Sequence, residues 1–320
     1  MSLLAKLADV QAVVRFYGTT PPREGSPPEV VETAATRLIE RVKRLPLDGF
    51  VVYDIQDESR RTTAPRPFLF TRTVDPRAYA KRLFSQTWVP AIAYKCIGEM
   101  SEADWRAWLD ETARDYSIEY LSVVGRPTSR SKGYPLSLTR AIRLAAGHEH
   151  RFTVGGVTIA ERHGPQSSES ARMIEKASRG ASFFVSQTVY RAEATVRMLA
   201  DYARDCAQAG VTPRRVVLTF APVGREKTLA FMKWLGISIG ADTERAIQRA
   251  ASPLAKSIEI CRANLTQILE QDYVGRVPLG INVESVSINK DEIDASVDLF
   301  QALSGVLESR LPHRGRTLIP

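Results

Sequence analysis

The sequence predicts an α/β protein whose eight parallel strands, each followed by a helix, close into a single (β/α)8 barrel. The main observation is that short apolar, β-branched runs alternate eight times with longer amphipathic segments. The runs are apolar on both faces, as expected of strands covered by helices outside and packed side chains inside. No Pro- or Ser-rich linker divides the chain, so we predict one domain spanning residues 1–320.

The predicted strands are rich in Val, Ile and aromatic residues and end at polar or Gly-containing turns. They are Ala12–Tyr17, Phe50–Ile55, Val89–Tyr94, Ile118–Val124, Phe152–Ala160, Ser182–Val189, Arg215–Ala221 and Val277–Val286. Two helical patterns, Lys227–Leu235 and Thr243–Leu269, lie between the seventh and eighth strands, which predicts one extra helix there. A doubly wound open sheet is the alternative, but its GxGxxG turn is missing after the first strand.

The net charge and the cysteine content indicate which kinds of partner and which compartment to expect. The net charge of +8 favours anionic partners, but the arginines are scattered, which favours an anionic small molecule over nucleic acid. The N-terminus lacks a signal-peptide pattern, and no apolar run approaches the roughly 18 residues of a membrane span. Cys96, Cys206 and Cys261 are far apart, so we expect no disulfide framework and a cytoplasmic protein. The sequence gives no indication of the oligomeric state.

Polar residues collect where the predicted strands end, which is where barrels of this kind place their chemistry. After the second strand, Asp54, Asp57 and Glu58 put three carboxylates within five residues. Their repulsion could keep one of them protonated as a proton donor. The alternative is a solvated acidic loop paired with Arg60 and Arg61. Metal-ligand spacing is absent, so no metal site is predicted.

Three further strand-end residues have both a functional and a structural interpretation. Gln187 lies in an otherwise apolar strand, and its amide would suit either a heterocyclic ligand or a neighbouring strand or loop. His163 could bind a phosphate or carbonyl oxygen, act as an acid, or be structural. Cys96 has no His beside it in sequence, which favours a buried thiol over a nucleophile.

Several short motifs follow one another along the chain: Pro21-Pro22-Arg23, Glu161-Arg162-His163, Glu175-Lys176 with Gly180-Ala181, Ser186-Gln187 and Ala221-Pro222-Val223. In this order, over about Val13 to Asn289, they resemble the motifs of methylenetetrahydrofolate reductases. The resemblance implies a TIM barrel that reduces 5,10-methylenetetrahydrofolate to 5-methyltetrahydrofolate with NAD(P)H, in the usual form through bound flavin. It also implies that Gln187 contacts the pterin and that His163 and Lys176 lie near the cofactor. From the same strand ends we expect Tyr17, Thr19, Tyr190 and Arg126 to bind substrate and Glu161 and Lys95 to bind cofactor.

Departures from the family pattern shape the functional hypothesis. Gly18 stands where the family has a catalytic Glu, Arg126 where it has an Asp, and Ala93 where it has a His. The stretch between His163 and Lys176, which normally helps to hold flavin, is short. We therefore expect no tightly bound FAD, direct reduction of the folate by NAD(P)H, and a proton from Asp57 or Glu58. The alternatives are a tetrahydrofolate-dependent methyl or methylene transferase or demethylase, and a catalytically silent folate-binding barrel.

Overall fold

A computed structural model describes residues 1–58, 62–125 and 136–310 and confirms the predicted barrel. The eight strands close into a barrel in chain order. Neighbouring strands pair in parallel from the first strand to the fifth and from the sixth to the eighth. The strands are β1 Val14–Thr19, β2 Gly49–Val52, β3 Ala91–Cys96, β4 Tyr120–Val124, β5 Thr153–Thr158, β6 Ala181–Thr188, β7 Arg215–Phe220 and β8 Leu279–Glu284. Closure leaves no exposed sheet edge among them.

Eleven α-helices surround these strands in the described residues. They are α1 Leu3–Ala8, α2 Pro28–Val42, α3 Pro76–Thr87, α4 Glu102–Glu111, α5 Leu138–Ala146, α6 Glu169–Ser178, α7 Ala192–Gln208, α8 Glu226–Trp234, α9 Ala241–Arg249, α10 Pro253–Leu269 and α11 Lys290–Arg310. A π-helical turn, Thr112–Tyr116, extends α4, and a 3-10 turn, Ala160–Arg162, follows β5. None of the described helices is both long enough and apolar enough to cross a membrane.

Local sequence signals set several helix boundaries. The Asp75 carboxylate accepts the N–H of Arg77, and Pro76 occupies the first position of α3, where a missing N–H costs nothing. Ser101 and Asp104 form a capping box at the start of α4, with Asp104 as its acidic member. Gly180, after α6, has a φ of 110°, a left-handed conformation in which a side chain would be strained.

The segment between β7 and β8 differs from the prediction. The pattern Thr243–Leu269 forms two helices, α9 and α10, rather than one. The break comes at Pro253, which lacks the N–H that an uninterrupted helix needs and becomes the first residue of α10. Three helices therefore lie between β7 and β8, where one extra helix was expected beside the crossover. The short helix α1 had no counterpart in the prediction.

The chain comprises two compact units. The first contains Met1–Arg15, Thr158–Ile174 and the described chain from Phe183 onward, and includes β7, β8 and most of β6. In its core, the buried guanidinium of Arg215 donates to the carbonyls of Lys6, Leu7 and Leu279, which fixes the end of α1. That arrangement satisfies helix carbonyls that have no partner within α1.

The second unit contains Phe16–Val157, without its undescribed residues, and Glu175–Ser182. Its core includes the stacked rings of Trp105 and Trp108, whose centroids lie 5.1 Å apart. The Arg77 guanidinium lies 4.6 Å from the Trp108 ring centroid and pairs with Glu111 at 2.9 Å. Buried arginine is tolerated here because it has both ionic and aromatic partners. The expectation of a single domain stays a prediction.

Candidate functional site

The ends of β2 and β3 bring a carboxylate and an ammonium group together in the second unit. Asp54 follows β2, and its Oδ2 accepts the backbone N–H of Cys96 at 2.9 Å. The same oxygen lies 3.7 Å from Nζ of Lys95, at the end of β3. Lys95 also lies 5.8 Å above the ring centroid of Trp108. The charge-assisted hydrogen bond from the N–H of Cys96 fixes Asp54, the first carboxylate of the acidic loop, and Lys95 balances its charge.

The remaining carboxylates of the acidic loop differ in exposure. Asp57 is exposed and Glu58 is half-buried. Burial lowers the pKa of the nearby Arg66 guanidinium, while the charges of Glu58 and Asp57 act in the opposite direction. A guanidinium therefore balances part of the loop's negative charge. The predicted role of Asp57 and Glu58 as proton donors stays a prediction, and Arg60 and Arg61 lie outside the described residues.

The residues expected to bind substrate are not equally placed to do so. Tyr17 is buried within β1, and Thr19 is the last residue of that strand, where its carbonyl accepts the N–H of Tyr53 at 3.0 Å. Tyr190 is fully buried and donates to the carbonyl of Ala221 at 2.8 Å, and burial raises its pKa well above the ordinary value. The hydroxyl of Tyr190 is thus already hydrogen-bonded inside the fold. Arg126 lies outside the described residues.

Cys96 is a half-buried thiol at the end of β3. Its Sγ lies 3.4 Å from the carbonyl of Gly125 and donates to it. Burial raises the pKa of Cys96 above its ordinary value, so the nucleophilic thiolate is disfavoured. This geometry favours the buried-thiol interpretation over the nucleophile.

Gln187 lies in an irregular stretch near the end of β6. The pairing of β6 with β7 shifts between Val185 and Thr188, which indicates a bulge. Within the bulge, the Ser186 hydroxyl accepts the N–H of Thr219 at 2.9 Å and donates to the carbonyl of Gln187 at 2.7 Å. A side-chain hydroxyl thereby replaces ladder hydrogen bonds that the bulge interrupts.

The Gln187 side chain contacts the chain that follows α8. Its Nε2 donates to the carbonyl of Leu235 at 2.9 Å, at the end of that helix. Because only the nitrogen can donate, this contact also fixes which side of the amide carries the oxygen. The sequence left open whether the Gln187 amide meets a ligand or a neighbouring strand or loop. The structure shows a contact with the chain that follows α8. The predicted contact of Gln187 with the pterin stays a prediction.

A polar layer connects β6, β7 and β8 at and near their C-terminal ends in the first unit. The Thr188 hydroxyl donates to Oε1 of Glu284 at 3.3 Å, and the Asn282 amide donates to the Thr219 hydroxyl at 3.3 Å. Thr188, Thr219 and Asn282 are buried, and Glu284 is half-buried at the last position of β8. We call these four residues the β6–β8 polar layer.

Glu161 follows β5 and contacts the loop between α8 and α9 at Ser238. Burial raises its pKa, whereas the backbone N–H of Ser238 and the charges of Arg191 and Arg162 lower it; the net shift is upward. Arg191 also reaches the hydroxyl of Ser238 at 3.4 Å. Glu161 therefore has a cationic, partly desolvated environment.

His163 and Lys176 are bonded to the fold itself. Nε2 of His163 lies 2.8 Å from Oδ2 of Asp201, and its Nδ1 accepts the N–H of Glu169 at 3.3 Å. These contacts place the proton on Nε2, where it is donated to the carboxylate. Lys176 is buried, and its Nζ donates to the carbonyl of Val157 at 2.6 Å. Their predicted cofactor contacts stay predictions.

Some residues at these strand ends were not singled out from the sequence. Glu292, in the first turn of α11, is buried and accepts the N–H groups of Gly224 and Arg225 at 3.0 and 3.1 Å. Ser186 supports the bulge beside Gln187. Both are polar residues beside apolar segments, but spacing alone does not reveal a contact made across the fold.

Among the described residues, no group of three His, Cys, Asp or Glu side chains could hold a metal ion.

Comparison with known proteins finds similarity to solved structures. No family model matches the chain, and no curated protein matches it. A solved structure of an uncharacterized protein from Clostridium thermocellum, which binds two copies of 5-methyl-5,6,7,8-tetrahydrofolic acid, is 29% identical with a TM-score of 0.80. The similarity covers 95% of this chain and 99% of the other.

Two further structures are much more distant. Dihydropteroate synthase from Xanthomonas albilineans is 12% identical over 93% of this chain and 94% of its own, with a TM-score of 0.44. N-(5'-phosphoribosyl)anthranilate isomerase from Pyrococcus furiosus is also 12% identical, over 92% of this chain and 99% of its own, with a TM-score of 0.46.

Proposed function

We propose that this protein binds a reduced folate of the 5-methyltetrahydrofolate type and acts on its one-carbon unit. The observation that carries the proposal is the similarity to the folate-binding protein from Clostridium thermocellum, which extends over nearly the whole of both chains. A shared barrel alone would not support it, because this fold hosts many unrelated functions. The similarity in sequence as well as in structure is the additional support.

Two properties of this chain agree with a folate ligand. The β6–β8 polar layer offers hydroxyl, amide and carboxylate groups at strand ends, which suits the hydrogen-bonding edge of a pterin. The net charge of +8 would attract the carboxylates of a glutamyl tail. Neither property requires a metal or a phosphate-bearing ligand.

The reaction we propose is reduction of 5,10-methylenetetrahydrofolate to 5-methyltetrahydrofolate, with NAD(P)H supplying the hydride and without tightly bound flavin. Support for this reaction comes from the motif resemblance and from the acidic loop, where Asp57 or Glu58 would supply a proton. The residues expected near the cofactor fit it poorly. A phosphate at His163 would have to displace the Asp201 carboxylate, and Lys176 already donates to Val157.

The poor fit of His163 and Lys176 favours a second candidate, a folate-binding barrel without reductase activity. A tetrahydrofolate-dependent transferase or demethylase is the third. All three bind folate, so binding tests the shared proposal and NAD(P)H oxidation separates the first from the others. A screen of methyl donors then separates the second from the third.

The decisive experiment is calorimetric titration of the full chain with 5-methyltetrahydrofolate. We expect a dissociation constant within the range of roughly 1 μM to 1 mM that is common for enzyme substrates. p-Aminobenzoylglutamate, which carries the tail without the pterin, serves as the control and should bind far more weakly. Absence of binding would contradict the proposal.

Two spectroscopic measurements then test the finer reaction. The purified protein should lack the flavin band at about 450 nm. NAD(P)H should be oxidised only when 5,10-methylenetetrahydrofolate is present. A flavin band would contradict the flavin-free reaction, and absence of NAD(P)H oxidation would leave the folate-binding barrel and the transferase.

A further inference from the structure

The chain between α8 and α10 contains a short segment that lies beside strand ends of the first unit. We call residues 238–252, which include α9, the α9 segment. It is part of the insertion between β7 and β8, where a regular barrel has a single crossover helix. Loops that follow barrel strands lie on the side where such barrels bind their ligands. An insertion on that side is therefore a candidate cover for a ligand site.

The end of α8, just before the α9 segment, is fixed to the body of the unit. The Gln187 amide donates to the carbonyl of Leu235 at 2.9 Å. Gly236 has a φ of 84°, and the N–H of Ile237 returns to the carbonyl of Met232 at 3.1 Å, which is a common way for a helix to end. The chain up to Ile237 is therefore held in place independently of α9.

Two polar contacts at Ser238 hold the start of the α9 segment. The guanidinium of Arg191, in the chain after β6, reaches the Ser238 hydroxyl at 3.4 Å. The carboxylate of Glu161, in the chain after β5, accepts the backbone N–H of the same residue. The next residue but one to the fixed end of α8, Ile239, is buried. Arg191 and Glu161 thus tie the segment to the chain that follows β5 and β6.

The helix α9 itself buries much less than the helix before it. All of α9 is described, and Ile247 is the one buried residue among its nine, whereas α8, also of nine residues, buries five. Lys233 on α8 pairs with Glu244 on α9 at 2.8 Å, but both side chains are partly exposed and such pairs contribute little. Elements with few buried residues open locally at a lower free-energy cost than the whole fold.

We infer that the α9 segment is a lid, latched at Ser238 by Arg191 and Glu161, and that it opens to admit the folate ligand to the chain after β5 and β6. Lids of this kind admit a ligand and then exclude water from it. Opening exposes Ile239 and Ile247, whose apolar surface suits the rings of a folate. Admission of the ligand rests on the proposed folate binding, whereas the local opening does not.

Hydrogen exchange of the full chain, followed by mass spectrometry, tests the opening. We expect amides of α9 to exchange about tenfold or more faster than those of α10, which buries five residues. Ser238→Ala removes the hydroxyl that Arg191 reaches and should speed exchange in α9 about threefold, as for loss of a weak hydrogen bond. Equal exchange rates in α9 and α10 would overturn the lid, because the segment would then open only with the whole unit.

Stopped-flow mixing with 5-methyltetrahydrofolate tests the admission of the ligand, with tryptophan fluorescence as the signal because Trp234 ends α8. If the lid opens first, the observed binding rate levels off at the opening rate as the ligand concentration rises. Ser238→Ala should raise this limit about threefold. Ser252→Ala, at the exposed far end of the segment, is the matched control and should behave like the wild type.

The possible failures are distinguishable. A binding rate that rises linearly with ligand concentration and is the same in wild type and Ser238→Ala would overturn the role of the lid in admission. If Ser238→Ala does not fold, Arg191→Gln removes the same contact from the other side and should give the same changes. Failure of the wild type to bind 5-methyltetrahydrofolate would overturn the proposed function, and the exchange rates would still decide whether the segment opens.

Discussion

The strand ends of the two compact units carry different kinds of polar group. In the first unit, at β6–β8, most of the polar side chains are buried and hydrogen-bonded to one another or to backbone groups. In the second unit, at β2 and β3, charged side chains predominate, and Asp57 is exposed. Buried and fixed groups suit recognition, whereas accessible charged groups can exchange protons. We therefore test the first set for ligand recognition and the second for proton transfer, each by itself.

Replacing the carboxylates of the acidic loop should produce the largest effect. General acid–base catalysis contributes about 10²- to 10⁴-fold to a rate, so Asp57→Asn or Glu58→Gln should lower NAD(P)H-dependent turnover by that order. Folate affinity should change little, because the role predicted for these carboxylates is proton transfer rather than binding. Steady-state kinetics on each single variant makes the measurement, with Asp298→Asn on α11 as the control. Full turnover in both variants would end the assignment of proton transfer to this loop.

Glu292 should make a large contribution to the free energy of unfolding, because it holds the loop that follows β7. Glu292→Ala leaves the N–H groups of Gly224 and Arg225 and the hydroxyl of Thr228 without their acceptor in a buried place. We expect the free energy of unfolding to fall by about 3 kcal/mol. Urea denaturation followed by circular dichroism measures it. An unchanged midpoint would show that the carboxylate does not hold this loop.

The sequence predicted the barrel well because its signal is repeated. Each strand–helix unit gives its own change of period, so an error in one unit does not alter the fold. The split of α9 from α10 was missed although Pro253 was visible, because the helical pattern continued on both sides of it. Gly180 and the Ser101 capping box were predictable because each depends only on neighbouring residues.

The site was less predictable because its contacts join distant segments. Gln187 and Leu235 are 48 residues apart, and Thr188 and Glu284 are 96 apart. Nothing in the spacing indicates that Gln187 donates to a helix end, or that Glu284 accepts a hydroxyl from β6. His163 likewise shows its bond to Asp201 only in three dimensions. The motif resemblance selected residues near strand ends, but it did not reveal the partners of their side chains.

Gln187 tests whether a fixed side chain can also recognise a ligand. Gln187→Ala removes the donor to Leu235 and any contact with the pterin. We expect 5-methyltetrahydrofolate to bind about tenfold more weakly, the effect of about one hydrogen bond. Calorimetric titration measures this, with the exposed Gln301→Ala on α11 as the matched control. Unchanged affinity together with lower stability would mean that Gln187 serves only the loop after α8.

Glu161 should give the smallest effect, visible only as a dependence on pH. Its pKa is raised in the folded protein, so the folded state binds the proton more tightly than the unfolded state. The corresponding stabilisation is present below the ordinary pKa of 4.5 and is lost as the pH rises through the raised value. Glu161→Gln cannot ionise, and its stability should lack this decline.

Urea unfolding of both proteins between about pH 4 and about pH 8 measures the difference. The stability of the wild type relative to Glu161→Gln should decrease with rising pH within this range. A relative stability that increases instead would mean that the cationic groups Arg191 and Arg162 outweigh burial. Glu161 would then resemble the charged groups at β2 and β3 rather than the buried groups of its own unit. The difference in polar groups between the two units would then depend on the β6–β8 polar layer alone.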